Sequence, residues 1–296
     1  MSEEVLDFER EYSPSCWSQR FSTPEQVLQN HVKLVTEASL DAVIKIPHEL
    51  DIEYGPTSGQ KLDIFGTDLP NDARIFVYVH GGYWQELSRE ISRYPVKPFY
   101  RGGIKTIIIG YDLCPTVTLG EIIKEIQNAA KYVFEYAEKM NSRGLYFAGH
   151  SAGAHLVSKI LDNAELLQNT SGSNRLHGVF LISGVYDLRD LIKTTVNAPL
   201  KLNETTAAAF SPILSNYQHI RDSDVFDKIR VHIIVGKHDS PTFQKQSRDF
   251  WKVLQSNFGV NAYLDIMENL DHFDIVEALG ELENYLKFFI SNSFCD

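Results

Sequence analysis

The chain has 296 residues, with 39 Asp and Glu against 28 Lys and Arg for a formal net charge of −11, and 43% of it is hydrophobic. That apolar content supports a sizeable core and excludes a disordered chain, and no Lys/Arg cluster is long enough to follow a phosphate backbone, so nucleic acid is not an expected partner. No apolar run approaches the ~20 residues of a membrane span, and the opening "MSEEVLDFEREYS" lacks the basic and apolar regions of a signal peptide. The expectation is a cytosolic protein with no membrane partner. Three widely spaced cysteines, Cys16, Cys114 and Cys295, fit a reducing compartment and match neither a zinc-site spacing nor C-x-x-C.

In chain order, the cap-like "STPE" opens a predicted peripheral helix over residues 23–43, with apolar Val27, Val32, Leu34, Val35, Ala38 and Leu40 at helical spacing. "DIEY" and "KLDIF", separated by the turn-rich "GPTSGQ", predict an antiparallel hairpin. Short β-rich runs follow at 74–80, 104–113, 145–150, 178–187, 231–239 and 261–268. Helical patterns occupy 118–140, 152–167, 242–257 and 274–290. Alternating strands and helices imply an α/β fold: a mostly parallel sheet, helices on both faces, and functional groups at the carboxyl ends of the strands. The whole chain, 1–296, reads as one domain, with residues 188–230 too long for a simple crossover and expected to form a small cap-like insertion.

Chemistry concentrates around "LYFAGHSAGAHL". Gly149-His150-Ser151-Ala152-Gly153 fits G-x-S-x-G, in which small flanking residues permit a tight strand-to-helix turn with a strained serine at its tip. The competing reading of that pentapeptide is an ordinary βα turn with a solvated serine. A serine hydroxyl is a poor nucleophile, and it needs a base, a group to orient the base, and donors for an oxyanion. "HGGYW" directly after the strand at 74–80 supplies Gly81 and Gly82 as oxyanion donors, and Ala152 supplies a third N–H at a helix start. Acid and base should follow the serine in that order. Asp239, in "VGKHDSP", closes a strand, and His272, in "NLDHFD", is the only histidine after it. Asp187 competes as the acid, and His238 and Asp271 adjoin the favoured pair. His80 and His150 are read as supports for their loops, and His155 as packing locally. No Walker, GxGxxG, HExxH or EF-hand pattern is present, so neither metal nor organic cofactor is expected.

"HGGYW", "GHSAGAHL", "GKHDSP" and "DHFD", with "EYSPSCW", "KLDIF" and "SGVYDL", resemble the kynurenine formamidase (arylformamidase) family of α/β-hydrolases, of the animal type, across nearly the whole chain. The G-x-S-x-G and HGG elements are shared with hormone-sensitive-lipase-like esterases and fix only the superfamily; the fuller combination carries the formamidase resemblance. The resemblance implies hydrolysis of N-formyl-L-kynurenine to L-kynurenine and formate, a step of tryptophan breakdown, through a formyl-serine on Ser151 with His272 as base and Asp239 as its partner. Tyr83 and Trp84 would flank the aryl ring, or Trp84 would instead brace the oxyanion loop, while Phe210 and Tyr217 are weaker candidates for the pocket wall. A broad-specificity carboxylesterase with the same triad and a non-catalytic hydrolase-like binding protein stay open as alternatives, as does a homodimer.

Overall fold

The computed structural model describes residues 7–222 and 229–280. Eight strands form one sheet: β1 (His48–Glu53), β2 (Lys61–Phe65), β3 (Ile75–Val79), β4 (Lys105–Ile109), β5 (Leu145–His150), β6 (Leu176–Ile182), β7 (Arg230–Gly236) and β8 (Ala262–Met267). Their order is β1-β2-β4-β3-β5-β6-β7-β8. The first two strands make the expected antiparallel hairpin, and β2 continues antiparallel onto β4; every pairing from β4 through β8 is parallel. Strand β3 lies between β4 and β5, so the connections on its two sides run in opposite directions across the sheet. A crevice opens above the carboxyl ends of β3 and β5, where such reversals place ligand sites in open α/β sheets.

The strand periodicity builds two cores. Ile75, Val77 and Val79 of β3 face one side with Ile107, Ile109, Leu145 and Phe147; Phe76 and Tyr78 face the other with Ile108, Tyr146 and Ala148. Helices Leu119–Lys139, Ala152–Leu161 and Pro241–Phe258 cover the first core through residues such as Ile126, Leu156 and Phe250. The second is covered by Val35 and Ala42 of the helix Pro24–Lys45, by Val96 and Phe99 of Val96–Arg101, and by Ile275, Val276 and Leu279. A capping box fixes the start of Leu119–Lys139: the Glu121 N–H donates to Thr118 Oγ1 (3.3 Å), and the Thr118 N–H donates to Glu121 Oε2 (2.7 Å).

Several expectations are revised. The N-terminal helix buries Val27, His31, Val35, Ser39 and Ala42, whereas Leu28, Val32, Leu34, Leu40 and Ile44 are exposed, so apolar spacing alone mis-set its inner face. The helix read over 152–167 breaks after Leu161, and Asn163 caps a second one, Ala164–Asn169, by accepting the Leu166 N–H at 2.9 Å. The run read as a strand to residue 187 leaves the ladder at Ile182, where Ser183 turns with φ 45°. Helix Val96–Arg101, at six residues, is too short for periodicity to announce. Of the helix expected at 274–290, Asp274–Glu277 is α-helical and Ala278–Gly280 a 3₁₀ turn; its remainder, and Cys295, lie outside the described residues, as does part of the 188–230 insertion.

Candidate active site

The glycines around Ser151 are demanded by contact. A Cβ on Gly153 would lie 2.2 Å from the Val79 carbonyl oxygen, and one on Gly149 would lie 2.3 Å from the Gly153 carbonyl oxygen. The end of β3, the end of β5 and the helix behind it therefore meet backbone to backbone, which forces a sharp reversal at the residue between. Ser151 takes up that reversal with φ 54° and ψ −116°, a strained conformation for a residue bearing a side chain. The Ser151 N–H donates to Ile182 O at 2.8 Å, anchoring the turn to β6.

The glycine loop after β3 lies directly alongside. A Cβ on Gly81 would fall 3.1 Å from Ser151 Cβ, while Gly82 has φ +98° and accepts the Glu86 N–H at 2.9 Å in a tight turn. The Gly81 carbonyl accepts hydrogen bonds from His80 Nδ1 (2.8 Å) and from the Tyr111 hydroxyl (3.2 Å). In a trans peptide the following N–H points the opposite way, so the Gly82 N–H is directed away from His80 and Tyr111. Gly82 lines the cavity that Ser151 lines, and no backbone acceptor among the described residues takes the N–H of Gly82 or Ala152. Ala152 opens a ten-residue helix whose first-turn donors have no intrahelical partner.

His272 Nδ1 lies 2.7 Å from Asp239 Oδ2, and both residues are buried. Asp239 Oδ1 accepts the Ser240 N–H at 2.7 Å, so the carboxylate is fixed at both oxygens. The competing acid, Asp187, is engaged by Arg189 at 2.6 Å instead. His272 and Ser151 line one cavity, although no hydrogen bond joins their side chains; such contacts commonly tighten only with substrate bound. His150 Nε2 donates to the His272 carbonyl at 2.8 Å, and burial, then the neighbouring His272, holds the His150 pKa well below the usual histidine value. Burial likewise lowers His80 to about 4 and His155 to about 3. These three are neutral rings occupied with carbonyls: His80 with Gly81, His150 with His272, and His155 with Phe210 (2.8 Å). Burial, then Glu121, pushes the Cys114 thiol up to about 11, leaving it inert.

The cavity measures about 290 Å³. Its walls include Tyr83, Phe273, Leu28 and Val32, together with Tyr12, Ser13, Pro14 and Ser15 of an N-terminal strap. Tyr83 is thus at the wall, its hydroxyl donating to Tyr12 O at 2.7 Å. Trp84 is not: it is completely buried, edge-on to His155 with ring centroids 4.9 Å apart, the position of a brace for the loop and not of a cavity wall. Tyr217 packs against Phe250 and Phe210 against Gly120, both away from the cavity; among the described residues of the 188–230 segment, Thr195 and Val196 reach it. Sequence reasoning missed the strap, although "EYSPSCW" marked it as distinctive. Among the described residues there is no group of three or more His, Cys, Asp or Glu disposed to hold a metal ion.

The BD-FAE family profile matches residues 62–254. Kynurenine formamidase of Salmo salar is 35% identical over 95% of this chain and 93% of its own length, and that of Drosophila melanogaster is 33% identical over 97% and 96%. The chain belongs to the kynurenine formamidase family. Among solved structures, a Silicibacter sp. tm1040 protein superposes with a TM-score of 0.77 at 25% identity, covering 97% of this chain and 99% of that one. Carboxyl esterase 2 of Tuber melanosporum gives 0.63 at 17% identity over 86% and 94%, a likeness of fold alone. This formamidase-family chain is a hydrolase with the α/β-hydrolase fold, as its eight-stranded sheet order and its relatives agree.

Proposed function

We propose that this protein hydrolyses N-formyl-L-kynurenine to L-kynurenine and formate, with Ser151, His272 and Asp239 as its catalytic triad. The observation that carries the reading is the buried 2.7 Å contact between His272 and Asp239, opening onto the same cavity as the strained Ser151 and the Gly82 loop. Ser151 Oγ attacks the formyl carbon while its proton passes to His272, and Asp239 stabilises the imidazolium. The carbonyl electrons move to oxygen, where the N–H groups of Gly82 and Ala152, with Gly81 behind them, stabilise the oxyanion. The C–N bond breaks as His272 returns its proton to the aryl amine. Water, deprotonated by the same histidine, then attacks the formyl-serine and releases formate.

The substrate's chemistry suits these walls. An aryl formamide with an ortho ketone has weakened amide resonance, an unhindered carbonyl and a flat ring that Tyr83 and Phe273 can flank. The charged wall residues include Glu9 and Glu86 and no Lys or Arg among the described residues, which suits the substrate's ammonium group and leaves its carboxylate to face away from them. Formate and kynurenine release by wild type, Ser151→Ala and His272→Ala, beside a short acyl ester, tests the proposal. Turnover of the formamide lost in both variants is expected, and turnover of the ester alone would overturn the substrate assignment.

A further inference from the structure

The buried carboxylate of Asp271 has no part in the triad, yet it is among the most heavily hydrogen-bonded side chains of the described structure. Its Oδ1 accepts the Phe273 N–H (2.7 Å) and the Asp274 N–H (2.9 Å), so it closes the turn on which His272 stands. Its Oδ2 accepts Ser18 Oγ–H (2.5 Å) and Arg20 Nε–H (2.8 Å), both from the N-terminal strap. Arg20 continues through Nη1 to Glu277 Oε2 at 2.7 Å, and its Nε lies 3.6 Å from Asp274 Oδ2. One guanidinium thus faces three carboxylates, and among the described residues the other basic group on them is His31, 2.9 Å from Glu277 Oε1.

We infer that Arg20 is a positioning residue: through Asp271 it holds the turn that presents His272 to Ser151, so the strap supplies part of the catalytic geometry as well as a pocket wall. The inference rests on His272 being the base. His272 is otherwise held at its ring by Asp239 and at its carbonyl by His150, while just before it the Leu270 carbonyl accepts the His238 N–H (3.0 Å) and the Asp271 N–H donates to Asp274 Oδ1 (2.6 Å). The Asp271 carboxylate fixes the backbone just after the histidine, at the Phe273 and Asp274 N–H groups, and ties this turn to the strap. Without Arg20, the three acids face one another across a partly desolvated space, and the arrangement relaxes by movement or proton uptake. A displacement of about 1 Å at a catalytic group costs roughly 100-fold in rate. Arg20 itself does not line the active-site cavity, so its loss acts on the histidine before it acts on substrate binding.

The test is steady-state kinetics on N-formyl-L-kynurenine for Arg20→Met, Asp271→Asn, the double variant and Arg20→Lys, with His272→Ala alongside. The expected result is a fall in kcat of about tenfold or more in each of the first two, with KM changed less than about twofold and no further fall in the double variant. Arg20→Lys, which keeps the charge but not the fork, recovers part of kcat. A raised KM with kcat intact would show that Arg20 merely pins the pocket wall, and additive losses would show that it does not act through Asp271; either overturns the inference. Should Arg20→Met fail to fold, the kcat-against-KM split of the near-isosteric Asp271→Asn decides the same question. Full turnover by His272→Ala would remove the base assignment and the inference with it, whereas its loss beside an unaffected Arg20→Met would remove the inference alone.

Discussion

The turns after β3 and β5 and the strap of residues 7–20 meet in one cavity but are held by opposite means. The turns are locked by backbone packing: at Gly149 and Gly153 the peptide groups they face leave no room for a Cβ, at Gly81 the fit is tight, and Ser151 is strained between them. The strap is tied by scattered polar bonds to distant parts of the chain. The Thr242 N–H donates to Glu11 Oε2 at 2.9 Å, Gln246 Nε2 donates to the Tyr12 hydroxyl at 2.9 Å, and Arg20 reaches Asp271. The turns around Ser151 are therefore set by sterically forced backbone contact, whereas the strap side of the cavity is set by separate polar contacts that can be lost one at a time.

The comparison predicts a descending order of effects. Ser151→Ala should lower kcat by about 10⁴- to 10⁶-fold with little change in stability, which single-turnover kinetics and thermal unfolding measure together; a small loss would mean another nucleophile. Gly153→Val should cost about 3 kcal/mol, seen as a lower urea midpoint, because its Cβ meets the β3 backbone. A midpoint equal to wild type would show that the turn has slack. Tyr12→Phe, on the strap side, removes the hydroxyl that pairs with buried Gln246 and should cost only about 1 kcal/mol. Its kinetic signature should be a rise in KM, since Tyr12 lines the cavity.

Smallest is the pH effect at the strap's anchor. Burial first, then the charge of Asp271, raises the Asp274 carboxyl to about 7. Because this exceeds the unfolded value of about 3.9, the folded state retains a proton that the unfolded chain releases, so stability from this group is complete at low pH and declines as pH rises from about 4 to about 7. Asp274→Asn keeps an oxygen for the Asp271 N–H and should raise the Tm at pH 8 by about 2 °C while leaving the Tm at pH 4 nearly unchanged. A lower Tm at pH 8 would contradict that sign.

The same division explains what the sequence disclosed. The strand-and-helix alternation, the G-x-S-x-G turn and the glycine loop are local patterns, and the structure brings Ser151, Gly82, Asp239 and His272 to the same edge of the sheet. The strap was opaque because nothing local tells Glu11 that it will meet Thr242, across 231 positions, or Arg20 that it will meet Asp271, across 251. Trp84 was open to two readings for a related reason: aromatic residues beside a glycine loop suit a substrate wall or a brace, and the positive φ values of Tyr83 (48°) and Trp84 (60°) put one ring at the cavity and bury its neighbour. The N-terminal helix misled because its inner face includes His31, paired with Glu277, and Ser39, which accepts the Arg93 N–H at 2.9 Å; these polar positions break the apolar periodicity.

The most direct test of the central claim is to titrate purified protein with a fluorophosphonate while following N-formyl-L-kynurenine turnover, then to locate the label by peptide mass spectrometry. One label per chain, on Ser151, with turnover lost in proportion to labelling, is the predicted result. Complete labelling of Ser151 with formamide turnover intact, or loss of turnover with the label on another residue, would contradict it.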